Sequence, residues 1–298
     1  MGNANELNKT RKYFGSSIEV LDKLNESIYF FDDFVIKFFS DSNISNNRVK
    51  RAQTLKGLVP DIIKSSSNFY KYKKAEGKLF SKSVNEKTFK SFLEWTKNNL
   101  WKTKTSSNFT ERCFDFYITK TNKRVKQYLK GENDTPKNIN GELIPPIEDL
   151  LLQVNKKWLC NGIPSQFHGD FILDNIIETK SNFTLIDWRQ DFGGDLEAGD
   201  IYYDLAKLNH NLTVNHGIID QKLYNSSPNN CYILCNSTLL RCKELLHKFI
   251  IDEGYDLNKV KLLSSIIWIN MAPLHEYPFN RFLFNFGKYN LYKTLQND

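Results

Sequence analysis

The feature that most constrains this chain is a short segment near its middle, Phe167-His-Gly-Asp-Phe-Ile-Leu-Asp-Asn175, followed by the acidic segment Leu185-Ile-Asp-Trp188. Together they supply two carboxylates, Asp170 and Asp187, and one side-chain amide, Asn175. Phosphoryl transfer from a magnesium nucleotide needs these groups, because one carboxylate orients the attacking hydroxyl while an amide oxygen and a second carboxylate hold the metal. The two segments therefore predict a fold that gathers the three side chains in one cleft.

The spacing of apolar residues divides the chain into a strand-rich first part and a helix-rich remainder. Residues 28–31 and 34–39 indicate two strands joined by a tight turn, and residues 69–72 indicate another, with a helix predicted at 46–57. From about residue 88 onward the spacing becomes helical. The further predicted elements are helices at 113–129, 147–158, 199–210, 230–253, 257–271 and 279–296, short strands at 172–178 and 182–188, and a loop at 131–146.

This pattern predicts an α+β fold with two lobes. A small, antiparallel, β-rich N-terminal lobe at residues 1–76 would bind the nucleotide, and a larger α-helical C-terminal lobe at residues 77–298 would carry the catalytic loop and the acceptor site. A hinge is expected near residues 73–79. Because no linker rich in proline, glycine and serine separates the lobes, we expect them to act as one unit around a shared cleft.

Composition limits the partners and the compartment. The formal net charge of +7 over 298 residues suits a polyanionic ligand such as a nucleotide, but its dispersion along the chain argues against a nucleic acid partner. No segment reaches the roughly 18 apolar residues that span a bilayer, and the first residues lack the apolar core of a secretory signal. Five dilute cysteines suit a reducing compartment. We expect a cytoplasmic protein without a membrane span, and its oligomeric state stays open.

Three motifs carry a resemblance to a known family. His168-Gly-Asp…Asn175, Ile186-Asp-Trp188 and Gly199-Asp-Ile-Tyr-Tyr-Asp-Leu-Ala206 resemble, in order and spacing, the linked motifs of the aminoglycoside phosphotransferase and choline kinase family, a branch of the protein-kinase-like fold. The resemblance is most specific between about residues 160 and 210. It implies a two-lobed kinase-like fold and a Mg²⁺-dependent enzyme that moves the γ-phosphoryl group of ATP or GTP to a hydroxyl of a small acceptor.

The same resemblance assigns roles within the catalytic loop and the third motif. Asp170 matches the catalytic aspartate that orients the acceptor hydroxyl. His168 matches the loop histidine, which we expect to hold the loop rather than transfer protons. Asp200 and Asp204 are acidic, but their place at the start of a helix predicts structural roles, with Asp200 as the helix cap and Asp204 buried against the loop.

Metal-binding and nucleotide-binding residues follow from the same comparison of motifs. Asn175 and Asp187 match the metal ligands, whose hard oxygens suit Mg²⁺. Lys37 resembles the strand lysine that holds nucleotide phosphates. A lysine in an apolar strand needs a partner, since burying an unpaired ammonium is costly. The alternative is an edge-strand lysine that reaches water. Glu76 and Gly77 resemble the hinge, where backbone groups meet adenine.

The acceptor is the most open part of the prediction. Acceptor contacts are expected from Trp188, Arg189, Gln190 and Asp191, which follow the metal aspartate, and from the C-terminal segment 270–279, which includes His275 and Glu276. A sugar, a choline-like amino alcohol or an aminoglycoside fits the family. The run of residues 187–194 is more similar to kinase-like proteins encoded in surface-polysaccharide loci, which favours a sugar-derived acceptor. Aromatic residues, namely Trp268, Tyr277, Tyr202 and Tyr203, could instead form a cage for a quaternary ammonium, although core packing is their commoner use.

Two rival functions remain open at this level. Gly169 stands where protein kinases usually carry an arginine, and the run from 187 to 199 is short, so both features favour a small-molecule kinase over a protein kinase. A pseudokinase or nucleotide-binding protein with little turnover is the second rival, because two expected features are missing.

The missing features both belong to the N-terminal lobe. No full glycine-rich loop precedes the first hairpin, for which residues 15–17 and 25–27 are the only candidates. The helix predicted at 46–57 has no glutamate to pair with Lys37. The partner of Lys37 must therefore come from elsewhere in the chain, or Gln53 replaces it, or the lysine pairs only with phosphate.

Overall fold

The first layer of the fold is a five-stranded antiparallel sheet. Its strands are β1 (Glu19–Lys23), β2 (Glu26–Phe30), β3 (Phe34–Phe39), β4 (Ile62–Ser65) and β5 (Phe69–Lys73). They are ordered β1-β2-β3-β5-β4 across the sheet. This computed structural model describes residues 19–23 and 25–296, so the candidate loop at 15–17 lies outside the described residues. The strands predicted at 28–31, 34–39 and 69–72 are confirmed.

The elements around Lys37 are strand β3, which carries it, and the helix that follows this strand. β3 lies at the centre of the sheet and places Lys37 on the buried face. Helix α1 (Ser42–Thr54) packs against β3 and β5. Asp41 caps the helix by accepting a hydrogen bond from the backbone N–H of Asn43 at 2.9 Å. This capping explains why the helix begins earlier than the predicted range of 46–57.

The second layer is helical and forms most of the remaining chain. Its helices are α2 (Phe80–Ser83), α3 (Glu86–Asn99), α4 (Phe109–Phe114), α5 (Lys120–Leu129), α6 (Ile147–Gln153), α7 (Lys156–Leu159), α8 (Ile201–Asn211), α9 (His216–Asp220), α10 (Ser237–Asp252), α11 (Leu257–Met271) and α12 (Phe279–Leu295). A π-helical turn at Asp115–Thr119 joins α4 to α5. Helix α11 is buried on nearly every side, as expected of a helix at the centre of a lobe. Within the described residues, no helix is long and apolar enough to cross a membrane.

Short strands hold the loops between the helices. They are β6 (Lys78–Leu79), β7 (Lys137–Ile139), β8 (Glu142–Ile144), β9 (Pro164–Ser165), β10 (Ile176–Glu178), β11 (Phe183–Leu185), β12 (Gly199–Asp200), β13 (Tyr224–Ser226) and β14 (Cys231–Ile233). Strands β6, β10 and β11 form one small sheet. At its end, the N–H of Ile186 donates to the carbonyl oxygen of Asn175 at 2.9 Å. The hairpin therefore brings Asn175 beside the segment that contains Asp187.

Two segments differ from the sequence prediction because turn residues form hairpins there. The helix predicted at 230–253 is wrong in its first part: β13 and β14 flank a turn rich in Ser, Pro and Asn, and α10 begins only at Ser237. The loop predicted at 131–146 contains the hairpin of β7 and β8. Its turn holds Asn140-Gly141, the residue pair that two-residue hairpin turns favour because both positions need a positive φ.

The passage between the layers lies between Lys73 and Phe80. Strand β6 lies within this passage and pairs with β10 of the second layer. Gly77, which precedes β6, has a φ of +145°, and a Cβ atom there would lie 2.3 Å from the carbonyl oxygen of Glu178. Glycine is thus required for the close approach of this segment to β10. The lobe boundary between residues 76 and 77 stays a prediction.

Candidate active site

The loop that carries Asp170 is shaped by the two residues before it. Gly169 has a φ of +86°, and a Cβ atom there would lie 2.6 Å from Cβ of Arg189, so only glycine fits. The Nδ1 atom of His168 accepts a hydrogen bond from the N–H of Asp170 at 3.2 Å, and its Nε2 then donates to the carbonyl oxygen of Ile186 at 2.9 Å. Burial lowers the pKa of His168 to about 4. The neutral imidazole therefore suits a positioning role.

Helix α8 anchors the same loop through the third sequence motif. The carboxylate of Asp204 accepts hydrogen bonds from the N–H groups of His168 and Gly169, each at 2.7 Å, and burial raises its pKa to about 6. Asp200 caps the helix by accepting a hydrogen bond from the N–H of Tyr202 at 3.2 Å. Both structural roles that the sequence predicted for these aspartates are confirmed.

Asp170 presents a partly exposed carboxylate, and 41% of its side chain is accessible. Its Oδ1 lies 2.8 Å from Nζ of Lys207, and its Oδ2 accepts a hydrogen bond from Nδ2 of Asn175 at 3.2 Å. Burial acts to raise the pKa of Asp170, but the ammonium of Lys207 outweighs it, and the pKa lies below its ordinary value. The carboxylate is ionised at neutral pH and can accept a hydrogen bond from an incoming hydroxyl. Sequence reasoning missed Lys207, although it directly follows the third motif at Ala206.

The predicted metal ligands lie next to this carboxylate. Asn175 uses its amide N–H₂ group for hydrogen bonds to Asp170, which leaves its amide oxygen without a hydrogen-bond partner among the described residues. Asp187 has a left-handed backbone conformation, with a φ of 61°, that an aspartate tolerates. An amide oxygen and a carboxylate are the few hard ligands that a Mg²⁺ ion takes from a protein when phosphates and water complete its shell. The donor set therefore fits magnesium.

Lys37 is buried and bound to two carboxylates. Its Nζ lies 2.5 Å from Oδ1 of Asp187 and 3.2 Å from Oε1 of Glu26 on β2. Burial acts to lower the pKa of Lys37, but Asp187 raises it above its ordinary value. The carboxylate that the helix lacks thus comes from the neighbouring strand, while Gln53 is exposed. Because β3 is a central strand, the alternative of an edge-strand lysine is wrong.

Helix α1 contributes cations where the family resemblance implies a glutamate. Arg48 places its guanidinium 2.5 Å from Oδ1 of Asp187, so two cations share one carboxylate oxygen. Nearby charges outweigh burial and keep the pKa of Arg48 above its ordinary value, with Asp187 the largest of them. The sequence signal for this contact was present, since Arg48 and Arg51 are one helical turn apart in a helix without acids.

Arg51 ties the same helix to the catalytic loop. Its side chain is fully buried, and its guanidinium donates to the carbonyl oxygens of Phe167, His168, Arg189 and Leu196. The guanidinium also stacks on the ring of Phe167, 3.9 Å from the centroid. Burial lowers the pKa of Arg51 to about 9, which still leaves it charged at neutral pH. The helix and the loop are therefore held as one unit.

The predicted hinge residues lie apart from these groups. Glu76 and Gly77 are exposed and line a cavity of about 970 Å³ together with residues 57–63 and the turn at 179–184. None of the predicted catalytic or metal-binding residues lines this cavity. A role of Glu76 and Gly77 toward a nucleotide base stays a prediction.

A second cavity, of about 240 Å³, opens directly beside Asp170. Of the predicted acceptor residues, Arg189 and Gln190 line it, together with Asn270, Met271 and Leu274 of the predicted segment 270–279. His275 and Glu276 are exposed and lie just beyond Leu274, the last lining residue of that segment. The predicted C-terminal segment therefore reaches the cavity through its first residues and not through His275 and Glu276.

Trp188 and Asp191 have structural contacts instead. The side chain of Trp188 is 1% exposed, packs near the ring of Tyr70, and donates from Nε1 to the carbonyl oxygen of Arg48 at 2.8 Å. Asp191 accepts a hydrogen bond from the N–H of Gly194 at 3.0 Å and so shapes the loop after the metal motif. Trp188 thus packs between the sheet and helix α1.

The aromatic residues considered for a cage do not converge. Trp268 is buried, and its ring packs against Phe286, while Tyr277 is exposed. Tyr202 is buried with its hydroxyl accepting a hydrogen bond from the N–H of Asp256, and only Tyr203 lines the cavity beside Asp170. The described residues therefore hold no aromatic cage built from these four side chains.

Solved structures share this architecture over nearly the whole chain. Choline kinase from Cryptosporidium parvum Iowa II superposes with a TM-score of 0.53 at 15% identity, covering 94% of this chain and 89% of that one. The streptomycin–ATP–APH(2")-IIa ternary complex gives 0.52 at 15% identity, covering 98% and 97%. A thermostable mutant of aminoglycoside phosphotransferase APH(4)-Ia, in its apo form, gives 0.55 at 11% identity, covering 97% of each chain.

No family model matches the chain, and no curated protein matches it by sequence. The similarity to solved structures is thus one of fold at low sequence identity. It confirms the predicted α+β, two-lobed, protein-kinase-like fold, of the kind seen in aminoglycoside phosphotransferases and choline kinases.

Proposed function

We propose that this protein is a Mg²⁺-dependent kinase that transfers the γ-phosphoryl group of ATP or GTP to a hydroxyl of a small acceptor. The observation that carries the proposal is that the ionised Asp170, Asn175 and the ion pair of Lys37 with Asp187 lie together. These groups come from distant parts of the chain. Phosphoryl transfer depends mainly on positioning and on neutralising charge, and this group of side chains can supply both.

Each residue has a defined part in the proposal. Asp170 orients the acceptor hydroxyl, and His168 holds the loop that carries it. Lys37 supplies positive charge where the nucleotide phosphates would lie. Magnesium, when bound by the oxygens of Asn175 and Asp187, neutralises further phosphate charge.

The names of the similar structures support a nucleotide and a hydroxyl-bearing acceptor. One of them holds ATP and streptomycin together, and another is a choline kinase. Those activities belong to those proteins, and their transfer to this chain is part of the proposal. The predictions of a cytoplasmic location and of no nucleic acid partner are retained with it.

One observation favours a second candidate, a nucleotide-binding protein with little turnover. Arg48 and Lys37 share Oδ1 of Asp187, the same carboxylate that would hold a metal. A metal ion must therefore compete with two cations for this side chain. If the cations keep this carboxylate, the metal lacks one of its two proposed ligands, and transfer would be slow.

The two candidates separate in an assay of ADP release with Mg-ATP, and of GDP release with Mg-GTP. The acceptor panel contains sugars, amino alcohols, aminoglycosides and nucleosides. We expect turnover with at least one acceptor, and a loss of about a thousandfold in Asp170→Asn. Nucleotide affinity, measured by calorimetry, should change by no more than about twofold in this variant, because Asp170 faces the acceptor.

The exposed Asp220 provides a matched control, and Asp220→Asn should leave turnover unchanged. Nucleotide binding without turnover on any acceptor would favour the second candidate. Turnover that survives in Asp170→Asn would contradict the role of Asp170.

A further inference from the structure

The cavity beside Asp170 has an unusual balance of charge. Five cationic side chains line it, and Asp170 is its only acidic lining residue; the cations are Arg48, Lys120, Arg124, Arg189 and Lys207. The remaining walls come from Gln190, Tyr203, Ile267, Asn270, Met271 and Leu274. Most of the lining therefore belongs to the helical layer, on the side where an acceptor would approach Asp170.

Two of the five cations are neutralised within the chain. Lys207 pairs with Asp170 at 2.8 Å, and Arg48 pairs with Asp187 at 2.5 Å. Their charge is committed to the catalytic and metal-binding carboxylates. They do not by themselves require a ligand of any particular charge.

The other three, which we call the acceptor-side cations, are Lys120, Arg124 and Arg189. Among the described residues, no carboxylate lies within ion-pair distance of any of them. The ring of Phe116 is shared by two of them, with Nζ of Lys120 4.2 Å and Cζ of Arg189 4.8 Å from its centroid. Arg124 donates to the side-chain oxygen of Gln127 at 2.9 Å. Their contacts are thus with neutral groups.

Like charges gathered in a half-buried site destabilise one another. Burial, together with the nearby charges of Arg189, Lys207 and Arg124, lowers the pKa of Lys120 to about 7. An anion that entered the cavity would relieve this repulsion, and two guanidinium groups match the oxygens of a phosphate or a carboxylate in bidentate hydrogen bonds.

We propose that the acceptor carries an oxyanion group, as in a sugar phosphate or a sugar acid, and that the acceptor-side cations bind this group while Asp170 orients a nearby hydroxyl. This inference rests on the proposed kinase function. It disfavours choline-like and aminoglycoside acceptors, because a cationic molecule would meet repulsion in the same cavity.

The neutral part of the lining suits a small polyol. Asn270 donates from Nδ2 to Oγ1 of Thr121 at 3.0 Å, while its buried Oδ1 has no hydrogen-bond partner among the described residues. An acceptor hydroxyl that donated to this oxygen would satisfy it. The cavity volume of about 240 Å³ is below the roughly 300 Å³ at which pockets for drug-sized ligands begin. A single sugar-sized ring fits this description better than a molecule of several rings.

The first test compares acceptors of different charge. ADP release with Mg-ATP is measured for glucose, glucose 6-phosphate and glucuronate, with glucosamine and choline as cationic acceptors. We expect kcat/KM for an anionic acceptor to exceed that of the neutral sugar by at least about tenfold. A higher value for the phosphate or for the carboxylate supports the inference and identifies which oxyanion is used. A preference for a neutral or cationic acceptor overturns the inference and leaves the proposed kinase function intact.

The second test needs no turnover. Binding of inorganic phosphate is measured by calorimetry with Mg²⁺ and a non-hydrolysable ATP analogue present, so that the nucleotide site is filled. We expect Arg124→Gln and Lys120→Met each to weaken phosphate binding by at least about tenfold. Lys123→Met, an exposed residue on the same helix, should change it by less than about twofold.

The outcomes distinguish this inference from the proposed function. Absent phosphate binding, or binding that is equal in all variants, overturns the inference. Weaker binding of the ATP analogue in Arg124→Gln, with phosphate binding unchanged, assigns these cations to the nucleotide and also overturns it. Phosphate binding that is lost in the variants, together with no turnover on any acceptor, supports the anion site and counts against the proposed kinase function.

Discussion

The cations around Asp170 and Asp187 form two groups that differ in what neutralises them. On the nucleotide side, Lys37 and Arg48 are held by carboxylates of the chain itself. On the acceptor side, Lys120, Arg124 and Arg189 contact an aromatic ring, an amide and a carbonyl oxygen. A cation that is paired with a carboxylate of the chain helps to fix the geometry of the site. A cluster of cations without carboxylate partners instead indicates that the ligand is negatively charged. The same residue types thus serve two purposes within one cleft.

The largest expected effect comes from breaking the paired side. Asp187→Ala removes the carboxylate that both nucleotide-side cations share and one of the two proposed metal ligands. We expect transfer to fall by at least about a thousandfold, because charge neutralisation at the phosphates is lost. Calorimetry with and without Mg²⁺ should show that the metal dependence of nucleotide affinity disappears. A variant that keeps this dependence would show that Asp187 does not hold the metal.

The next prediction tests whether Arg51, whose hydrogen bonds all go to carbonyl oxygens, stabilises the fold. Arg51→Met removes a donor from four carbonyl oxygens, of which that of His168 keeps the N–H of Arg189, and we expect it to lower the free energy of unfolding by about 3 kcal/mol. Urea denaturation measures this change. The control is Arg241→Met, whose exposed ion pair with Glu86 should contribute less than about 0.5 kcal/mol. Equal losses in the two variants would contradict the structural role of Arg51.

The smallest effect concerns the acceptor-side cations, and its size depends on pH. The pKa of Lys120 is lowered to about 7 in the folded protein, from 10.5. Between about pH 7 and pH 10.5 the unfolded chain binds a proton on Lys120 that the folded chain does not, so the stability of the fold rises with pH. Below about pH 7 both states carry the charge, and the folded state bears the full cost of burying it. Lys120→Met should therefore raise the melting temperature of the ligand-free protein, most strongly at about pH 6, by a few degrees.

The comparison of variant and wild type isolates this contribution from other titrating groups. The gain should shrink toward about pH 10, because the free-energy cost of releasing the proton on folding falls as the pH approaches the ordinary lysine pKa of 10.5. Adding phosphate should also reduce it, because the anion stabilises the charged lysine. A destabilised variant at about pH 6 would contradict the proposed repulsion among these cations.

Local sequence patterns predicted the parts of the fold and site that depend on neighbouring residues. The helix predicted at 257–271 has the bounds of α11, since apolar residues at helical spacing are a local signal. The structural roles of Asp200 and Asp204 followed from their place at a helix start. The chemistry expected of Asp170 also came from a single short loop.

Other contacts depend on which distant segments meet, and the sequence did not reveal them. Arg48 reaches Asp187 from a helix far earlier in the chain, and Lys120 comes to the cavity from a helix that carried no motif. The acceptor contact predicted for Trp188 rested on its position next to Asp187 in the chain. This residue follows the metal aspartate directly, but the left-handed backbone at Asp187 accompanies a change of direction, and the indole packs against the sheet.

The buried guanidinium of Arg51 also determines where helix α1 is attached. It ties the helix to the loop segments at 167–168, 189 and 196, although the chain places this helix between strands of the sheet, against which it also packs. The bond from the N–H of Leu185 to the carbonyl oxygen of Leu58, at 2.7 Å, adds to the same attachment. The helix that brings Arg48 to Asp187 is therefore fixed both to the sheet and to the catalytic loop.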